Sequence, residues 1–227
     1  LNEHGARAMA LGGAFAARAL DPSAIYFNPA GIAFQQRHQL YIGVTGIFPR
    51  SAFYGPFQFN TNEKTEMVNR FFTPLNAYGT YHISDDLHVG IGVYNAFGLG
   101  TKWPETWSGR FITTSVDLQS FFISPTVAYR VSENLSLGVG VNYVMGNVTI
   151  RRVVSDPFDP HATLSMDLDA TSWGFNVGAL YRFSDDLSVG LSYRSQIKLR
   201  STGTANFSPD RPVYPEGNVK SSIILPA

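Results

Sequence analysis

The feature that most constrains this chain is a strand–turn–strand pattern that occurs three times, about 50 residues apart. The copies occupy residues 81–93, 129–141 and 181–193. In each copy a Ser and two acidic or amide residues separate two apolar stretches. Their side-chain oxygens can accept hydrogen bonds from nearby backbone N–H groups and so stabilise a turn. Each copy therefore predicts two antiparallel strands joined by a tight polar turn.

The strands beside these turns alternate with a period of two for roughly ten residues, longer than the about 5 to 6 residues usual in globular proteins. After the second turn, one face carries Leu135, Leu137, Val139, Val141 and Tyr143. The opposite face carries Ser136, Gly138, Gly140 and Asn142. About ten residues is the length that a tilted strand needs to cross a lipid bilayer.

The character of the two faces favours a membrane barrel. A soluble sandwich would carry charges on its outer face, whereas the second face here is Gly, Ser and Asn with occasional Arg, which suits a crowded or watery interior. Tyr143 and Trp173 stand near the ends of the apolar faces, as in an interfacial girdle. Short turns alternate with long polar stretches, such as residues 101–109 and 156–170. We predict an all-β, antiparallel transmembrane β-barrel of the bacterial outer membrane; a soluble propeller or lipocalin-like barrel is the alternative that periodicity alone leaves open.

The composition of the chain excludes several other classes of protein. Lys and Arg number 17 and Asp and Glu number 17, so the formal net charge is zero and a nucleic-acid partner is not expected. Charged residues make up 15% of the chain, below the roughly 25% of soluble domains. The chain has no Cys, which excludes disulfides and thiolate metal sites within it. Its apolar runs are too short for a membrane-spanning helix.

The sequence indicates neither an enzyme nor a cofactor site. The acidic pairs at residues 85–86 and 185–186 lie in the repeated turns, which gives them a structural role. No nucleophile-elbow pattern occurs, and the five histidines lack metal-ligand spacing. His82 and His88, which flank one turn, are the pair that could meet a metal. We expect a non-enzymatic protein without a cofactor.

Residues 1–37 differ from the rest of the chain in composition and pattern, because they are rich in small residues and show no alternation of apolar and polar residues. Asp21 is predicted to cap a short helix that begins at Pro22 and ends at Asn28, since the residue before a proline disfavours helix. Gly31 then permits a tight turn. This composition predicts a compact plug that packs closely against surrounding walls. The segment has no apolar signal-peptide core, so we expect a mature chain from which the signal has been removed.

Residues 5–15 and 21–31 resemble the opening of the FadL family of outer-membrane transporters. These proteins carry long-chain fatty acids and other hydrophobic compounds, including aromatic hydrocarbons. The resemblance implies a fourteen-stranded barrel that is closed by an N-terminal hatch. It assigns gating of the hatch to Asn28, Pro29 and Ala30. It also implies passive transport, with the ligand leaving sideways into the bilayer.

The family's third strand is kinked inward and leaves a lateral opening in the wall. The stretch that resembles it covers residues 94–100, where the alternation breaks and two glycines follow. The kink is assigned to Asn95, Ala96, Phe97 and Gly98. Glycines at this point indicate a bulge or bend, and the alternative is that they only end a strand.

Ligand capture is predicted from loop residues. Trp103, Trp107 and Phe111 are expected to collect the apolar part of a ligand, unless their loop simply packs on itself. The carboxylate of a fatty acid is expected to meet a cation, with Arg151 and Lys198 as the main candidates. Their neighbours Arg152 and Arg200 share that candidacy. All four could instead be charges at the barrel rim that contact lipopolysaccharide.

We count about seven or eight strands, half of the number that the resemblance implies. The predicted domains are a hatch over residues 1–37 and barrel wall over residues 38–227. The wall is expected to be incomplete, so the sequence is interpreted as an N-terminal portion of a longer protein that is a monomer when full length. Its expected partners are a fatty acid-like hydrophobic ligand, outer-membrane lipid and lipopolysaccharide. An aromatic-hydrocarbon channel and a structural or adhesive barrel remain the alternative functions.

Overall fold

The computed structural model of the chain describes residues 4–18, 20–55, 64–159, 161–210 and 217–226. Residues 1–3 and 19 of the predicted hatch therefore lie outside the described residues. The helices described are α1 (Ala6–Ala10), α2 (Ala24–Phe27) and a 3₁₀ helix (Pro29–Phe34). The strands are β1 (Gln39–Val44), β2 (Ala52–Tyr54), β3 (Lys64–Glu66), β4 (Leu75–His82), β5 (Leu87–Tyr94), β6 (Gly98–Lys102), β7 (Ser115–Arg130), β8 (Leu135–Val153), β9 (Thr163–Arg182), β10 (Ser188–Arg194), β11 (Ile197–Ser208) and β12 (Gly217–Leu225). Within these residues no helix is both long and apolar enough to cross a membrane.

The strands form one antiparallel sheet of ten strands and a separate hairpin of β2 with β3. Neighbours in the sheet follow the order β1-β4-β5-β7-β8-β9-β11-β12, with β6 also paired to β7 and β10 also paired to β9. The longest strands are β7, β8 and β9, with 16, 19 and 20 residues. The prediction of an all-β antiparallel fold is confirmed. Over the described residues the sheet is open between β1 and β12, and its closure stays a prediction.

The three repeated turns connect β4 to β5, β7 to β8, and β9 to β10. In each turn the Ser Oγ accepts a hydrogen bond of 3.1 Å from the backbone N–H of the Leu three positions later. These bonds join Ser84 to Leu87, Ser132 to Leu135, and Ser184 to Leu187. The Asp85 side chain, in contrast, is 98% exposed. The serine hydroxyl is thus the side-chain acceptor that the three turns share.

The outer face of the sheet, defined by the residues that alternate with those against the N-terminal segment, is apolar and exposed. On β8, Leu137, Val139 and Val141 are 48%, 49% and 44% exposed. Asn142, the residue after Val141, points to the opposite face and is fully buried. This is the reverse of a soluble protein, which buries large apolar side chains and rarely exposes an apolar surface of this extent. The outer face therefore needs apolar surroundings, which the hydrocarbon core of a bilayer supplies.

The apolar outer face ends at a defined level. Beyond Met145, the outer positions of β8 are Asn147 and Thr149. Asn147 donates a hydrogen bond of 2.9 Å to Asp169, and Thr149 donates one of 2.7 Å to Asp167 on β9. The apolar stretch of β8 covers about ten residues, or about 33 Å along the strand and about 25 Å at a tilt of about 40°. That height matches the apolar band of a membrane barrel.

The inner face is the surface against which the N-terminal segment, residues 4–37, packs. Its glycines allow the segment to approach the strands. A Cβ on Gly138 would overlap the backbone of Pro29, and a Cβ on Gly178 would overlap the Asn28 side chain. At these positions the small residues line a crowded interior rather than a watery one.

The turn before α2 differs from the sequence prediction. The N-cap of α2 is Ser23, and the helix begins at Ala24. Asp21 Oδ1 instead accepts hydrogen bonds from the backbone N–H of Ser23, at 3.0 Å, and from its hydroxyl. The helix therefore begins two residues later than predicted, and Asp21 stabilises the turn that leads into it, with its carboxylate accepting from Ser23 N–H and its carbonyl oxygen accepting from Ala24 N–H at 2.9 Å.

The end of α2 agrees with the prediction, because the helix ends at Phe27 and is followed by Asn28 and Pro29. Asn28 then caps the 3₁₀ helix, with its side chain accepting a hydrogen bond of 3.1 Å from the N–H of Ala30. Gly31 lies inside this helix rather than in a tight turn, which corrects that expectation.

We expect Gly178→Val to displace residues 24–35 from the inner face, because the new side chain would occupy the space of the Asn28 side chain. Hydrogen–deuterium exchange of the complete protein should then be faster across these residues than in the wild type. Gly79→Val is the matched control, since a Cβ on Gly79 meets nothing within 4 Å. Unchanged protection in Gly178→Val would contradict the dependence of the segment on this glycine.

Candidate functional site

Asn28 joins the N-terminal segment both to itself and to the sheet. Its side chain is fully buried. The amide nitrogen donates hydrogen bonds to the carbonyl oxygens of Ala16, at 2.8 Å, and Ala179, at 3.1 Å. The amide oxygen accepts from Ala30 N–H, so the carboxamide uses both of its ends. Pro29 and Ala30 lie against β8, where the Ser136 hydroxyl donates to Ala30 O at 2.9 Å.

Further side chains of the sheet donate to carbonyl oxygens of the N-terminal segment. Arg194 donates to Tyr26 O at 2.6 Å, and Asn176 donates to Ile25 O at 3.0 Å. Arg130 and Ser188 make bonds of the same kind to Ala33 and Ala17. Carbonyl groups in the last turn of a helix have no partner within the helix. The sheet therefore binds the backbone of the segment where that backbone needs donors.

A cluster of rings fills the space between the N-terminal segment and strands β4 and β5. The Tyr26 and His4 rings stack with centroids 3.7 Å apart, and the Arg194 guanidinium lies 4.1 Å from the Tyr26 centroid. His4 Nδ1 and the Tyr78 hydroxyl are hydrogen-bonded at 2.9 Å. Tyr94 meets His4 edge-on at 5.1 Å. His4, Tyr78 and Tyr94 are all buried, so the cluster is packed tightly against the inner face.

The wall is interrupted between β5 and β6. Both strands pair with β7, but Tyr94 pairs with Phe122 whereas Gly98 pairs with Gln119. Residues 95–97 thus oppose only residues 120–121, which is a one-residue β-bulge that bends the strand. The bulge and the residue that ends it comprise the predicted kink positions Asn95, Ala96, Phe97 and Gly98.

Two side chains satisfy the backbone at the bulge. The Ser120 hydroxyl donates to Phe97 O at 2.7 Å and accepts from Phe97 N–H at 3.0 Å. Asn95 donates to Ser120 O at 2.8 Å and accepts from Leu75 N–H at 3.0 Å. The interruption is therefore fixed by hydrogen bonds, because the ladder's own bonds are absent at this point.

An apolar crevice of about 590 Å³ opens beside the bulge, between β6 and residues 67–74. Its aromatic lining consists of Phe71, Phe72, Phe97 and Phe121. Asn95 and Gly98 form part of its edge, whereas Ala96 is buried in the core. The Phe72 ring lies against Gly100, where a Cβ would overlap it.

A second, polar crevice of about 660 Å³ adjoins the first. The two share Arg70, Asp117 and Gln119. Two of the predicted ligand residues, Trp103 and Arg151, line the polar crevice together. The fold thus places these two side chains at one site, although 48 positions separate them in the sequence.

The loop aromatics differ in exposure. Trp103 stacks on Trp107 with centroids 4.6 Å apart, and Phe53 meets Trp107 edge-on at 5.4 Å. The Trp107 ring nitrogen donates to Thr113 O at 2.8 Å, and the residue is only 9% exposed. Trp107 therefore packs within its own loop and supports Trp103. Phe111 is 45% exposed.

The predicted cations do not form one cluster. Arg151 lines the polar crevice, and Arg152 is exposed near the end of β8. Lys198 and Arg200 are exposed on β11, where they alternate with buried residues and so belong to the outer face. In the order of the sheet, β11 is separated from β8 by β9.

The histidine pair is engaged with protein groups. His82 and His88 have ring centroids 4.7 Å apart, and His88 Nε2 is hydrogen-bonded to Gln35 O at 2.9 Å. Among the described residues, no group of three His, Asp or Glu side chains is arranged to hold a metal ion. These contacts give the pair a structural role.

The family model described as "Outer membrane protein transport protein (OMPP1/FadL/TodX)" matches residues 1–226. The chain belongs to this family. The resemblance read from residues 5–15 and 21–31 is thereby confirmed, as is the outer-membrane location. Members of the family are transport proteins, which agrees with the expectation of a non-enzymatic protein.

Curated relatives of this FadL-family chain are transport and outer-membrane proteins. The long-chain fatty acid transport protein of Salmonella typhi is 28% identical over 156 residues, which are 61% of this chain and 35% of that protein. The protein of the same name from Escherichia coli K12 is 24% identical over 213 residues, covering 81% and 47%. Outer membrane protein P1 of Haemophilus influenzae is 26% identical over 175 residues, covering 64% and 38%. The chain therefore spans less than half the length of these relatives.

Solved structures of the family share the fold. A Pseudomonas aeruginosa FadL homologue superposes with a TM-score of 0.71 at 19% identity, over 93% of this chain and 60% of that one. The Ralstonia pickettii toluene transporter TbuX superposes with a TM-score of 0.66 at 17% identity, over 94% and 61%. At this level of identity the likeness establishes the fold alone.

Sequence reasoning did not single out Ser120, Asn176 or Arg194 as functional residues of this FadL-family chain. The sequence pattern could have indicated Asn176 and Arg194, since a long polar side chain on a face of small residues needs a hydrogen-bond partner. The pattern could not have indicated Ser120, because a serine is common on that face. Its role depends on the register that brings β7 opposite the bulge.

We expect Ser120→Ala to lower the free energy of unfolding by about 1–3 kcal/mol, because both backbone groups of Phe97 lose their partner. Urea unfolding of the complete protein in lipid vesicles measures the change. Ser222→Ala, at an exposed position of β12, is the control and should change stability by less than about 0.5 kcal/mol. Equal stability of the two variants would show that the bulge does not depend on the hydroxyl.

Proposed function

We propose that this chain forms the hatch and part of the wall of an outer-membrane channel for long-chain fatty acids or other hydrophobic compounds, monoaromatic hydrocarbons included. The observation that carries the proposal is the bulge at residues 95–97, which interrupts the wall beside an apolar crevice while the N-terminal segment fills the interior. A blocked lumen and an apolar side opening suit a solute that leaves into lipid. Relatives named for fatty acid and toluene transport support both ligand classes.

The sheet is proposed to close into a barrel with further strands, fourteen in all, around a hatch of residues 1–37. The wall in this chain then covers residues 38–227. Open edges at β1 and β12 would leave backbone groups unpaired in lipid, which costs several kcal/mol for each group. A closed barrel has no such edge, and this supports a monomer.

Loop residues are proposed to capture the ligand. Trp103 and Phe111 present accessible ring surface, and Trp107 holds Trp103 in place. Arg151, at the polar crevice, is the candidate partner for a carboxylate. Lys198 was predicted for the same task, but it lines neither crevice, and its exposed position on the outer face, with Arg200, supports contact with lipopolysaccharide instead.

Gating is proposed to depend on a shift of the hatch around Asn28, Pro29 and Ala30. A ligand can shift this equilibrium only if it binds the displaced arrangement more tightly than the closed one. The closed arrangement is defined by the three hydrogen bonds of the Asn28 side chain. Movement of this residue would release the contacts with β8 and β9 together. No energy source is required, so transport is passive and follows the ligand gradient.

The proposed exit is lateral, through the wall at the bulge. Gly98 and Gly100 pair with Gln119 and Asp117, and these positions alternate with Ser120, which faces the interior. The apolar crevice thus opens on the outer side of the wall. It lies where the outer face changes from the apolar Phe121 to polar residues. A ligand leaving here enters the bilayer without crossing its polar surface.

We expect Asn28→Ala and Pro29→Ala to reduce uptake of a radiolabelled long-chain fatty acid or of toluene by cells that express the complete protein. Without the Asn28 bonds, or the fixed turn at Pro29, the segment no longer moves between two defined arrangements, so ligand binding is no longer coupled to opening of a single route. Barrel folding, checked by β-sheet circular dichroism, should be retained.

Asn134→Ala is the control for these two variants, because Asn134 lies exposed in a repeated turn. Its uptake should equal that of the wild type. Wild-type uptake by both hatch variants would exclude the gating role of these residues.

We expect Thr73→Trp to reduce uptake of the same compounds, because an indole at this lining position fills the apolar crevice. Ser222→Trp, at an exposed position on β12, introduces the same side chain elsewhere and should transport normally. The two variants are compared by initial uptake rate at equal amounts of protein in the membrane. Equal rates would argue against exit through this crevice.

A further inference from the structure

We propose that the ion pair of Arg70 and Asp117 is a charge filter of the apolar crevice, which admits uncharged apolar groups, such as a hydrocarbon ring or the alkyl chain of a fatty acid, and disfavours entry of a carboxylate group. The inference rests on the proposed function, since it concerns the ligand that the crevice accepts. It assigns a role to two residues that neither the repeats nor the N-terminal motif indicates.

The pair is close and partly shielded from water. Arg70 Nη1 lies 2.7 Å from Asp117 Oδ1 and 2.9 Å from Oδ2. The two side chains are 26% and 24% exposed. Screening by water is weaker at such a position than at a fully exposed ion pair, so the charges interact more strongly.

Neighbouring groups hold both partners in place. The Ser115 hydroxyl donates to Asp117 Oδ2 at 3.1 Å. The Arg70 guanidinium lies 4.9 Å from the centroid of the Phe72 ring, which itself rests on Gly100. Gly100 is the pairing partner of Asp117 between β6 and β7. Strand pairing, ring contact and ion pair therefore fix one arrangement.

The charge on the crevice lining is balanced. Among the described residues that line it, Arg70 and Asp117 are the charged ones, and the others are apolar, aromatic or neutral. A carboxylate that entered would lose water, approach Asp117 and meet a guanidinium whose charge Asp117 already balances. Burying a charge without a free partner is costly, whereas an uncharged ring or alkyl chain meets only the apolar lining.

The adjoining polar crevice has the opposite bias. It also contains Arg70 and Asp117, but adds Lys102 and Arg151 against Glu105. Cations are therefore in excess there. A carboxylate is therefore disfavoured less on this side of the ion pair than on the apolar side. The pair stands at the boundary between the two crevices because both are lined by it.

The test uses toluene and benzoate, which share a ring and differ in a methyl or a carboxylate group. Binding of each radiolabelled compound to the complete protein in lipid nanodiscs is measured by equilibrium dialysis in sealed cells, with empty nanodiscs subtracted. The wild type should bind toluene and discriminate against benzoate. Asp117→Asn should raise benzoate affinity roughly tenfold, because the freed guanidinium offers a charge-assisted hydrogen bond. Toluene affinity should stay within about twofold, since its contacts are apolar.

Three further variants separate the possible causes. Arg70→Gln with Asp117→Asn removes both charges and should give no gain in benzoate affinity, which shows that the gain needs Arg70. Arg70→Gln alone should weaken benzoate binding further, and it keeps the proposal testable if Asp117→Asn fails to fold. Thr73→Trp should reduce toluene binding, which places the bound ligand in the crevice.

The outcomes distinguish the filter from transport itself. If Asp117→Asn changes the affinities for toluene and benzoate equally, or changes neither, the filter is overturned. Uptake of hydrophobic compounds by the wild type would still support the channel function. Toluene binding that Thr73→Trp does not affect would overturn the crevice as the binding site, and the filter with it. Absence of uptake of any hydrophobic compound by the wild type would overturn the proposed function.

Discussion

The close approach of the N-terminal backbone to the inner face of the sheet is the constraint on which the rest of the structure depends. Glycines at 138, 178 and 190 leave no room for a side chain beneath the segment, and donors of the sheet meet its carbonyl oxygens. An interior filled in this way turns the apolar residues of the same strands outward. The exposed apolar face and the buried polar face are thus two results of one alternation.

The wall and the segment are held by different kinds of contact. Strands β7, β8 and β9 are long, and β8 pairs with β9 without a break from Leu135 to Val153, so this ladder resists opening. The bulge between β5 and β6 is instead fixed by two side chains, Asn95 and Ser120. Pairing with β9 is also interrupted, between β10 and β11, but the apolar crevice lies at the bulge between β5 and β6. We propose that the apolar crevice at that point and the balanced charge of Arg70 with Asp117 select the solutes that use it.

The position of the crevice relative to the bilayer explains how a ligand on the proposed route would reach the hydrocarbon core. The outer face is apolar up to the level of Met145 and polar from Asn147 onward. Phe121, which lines the crevice, pairs with Met145 and so stands at the upper limit of the apolar band. A ligand that leaves here passes from an aromatic lining directly into hydrocarbon. The cations Lys198 and Arg200 stand on the same outer face, where lipid head groups are expected.

The sequence by itself determined the features that depend on neighbours within about ten residues: strand alternation, the serine-based turns, the helix end before Pro29 and the break at residues 95–98. Periodicity and local hydrogen bonding act over that distance. Local chemistry predicted a helix start at Pro22 after a cap at Asp21, two residues before the observed start at Ala24, because a carboxylate can stabilise either a cap or the turn before it. Only the tertiary structure decided that Arg70 meets Asp117, that Trp107 is enclosed while Trp103 is accessible, and that Asn28 binds Ala179 across 151 residues. Such contacts depend on strand order and register, which bring distant segments together. The local sequence around each residue does not indicate them.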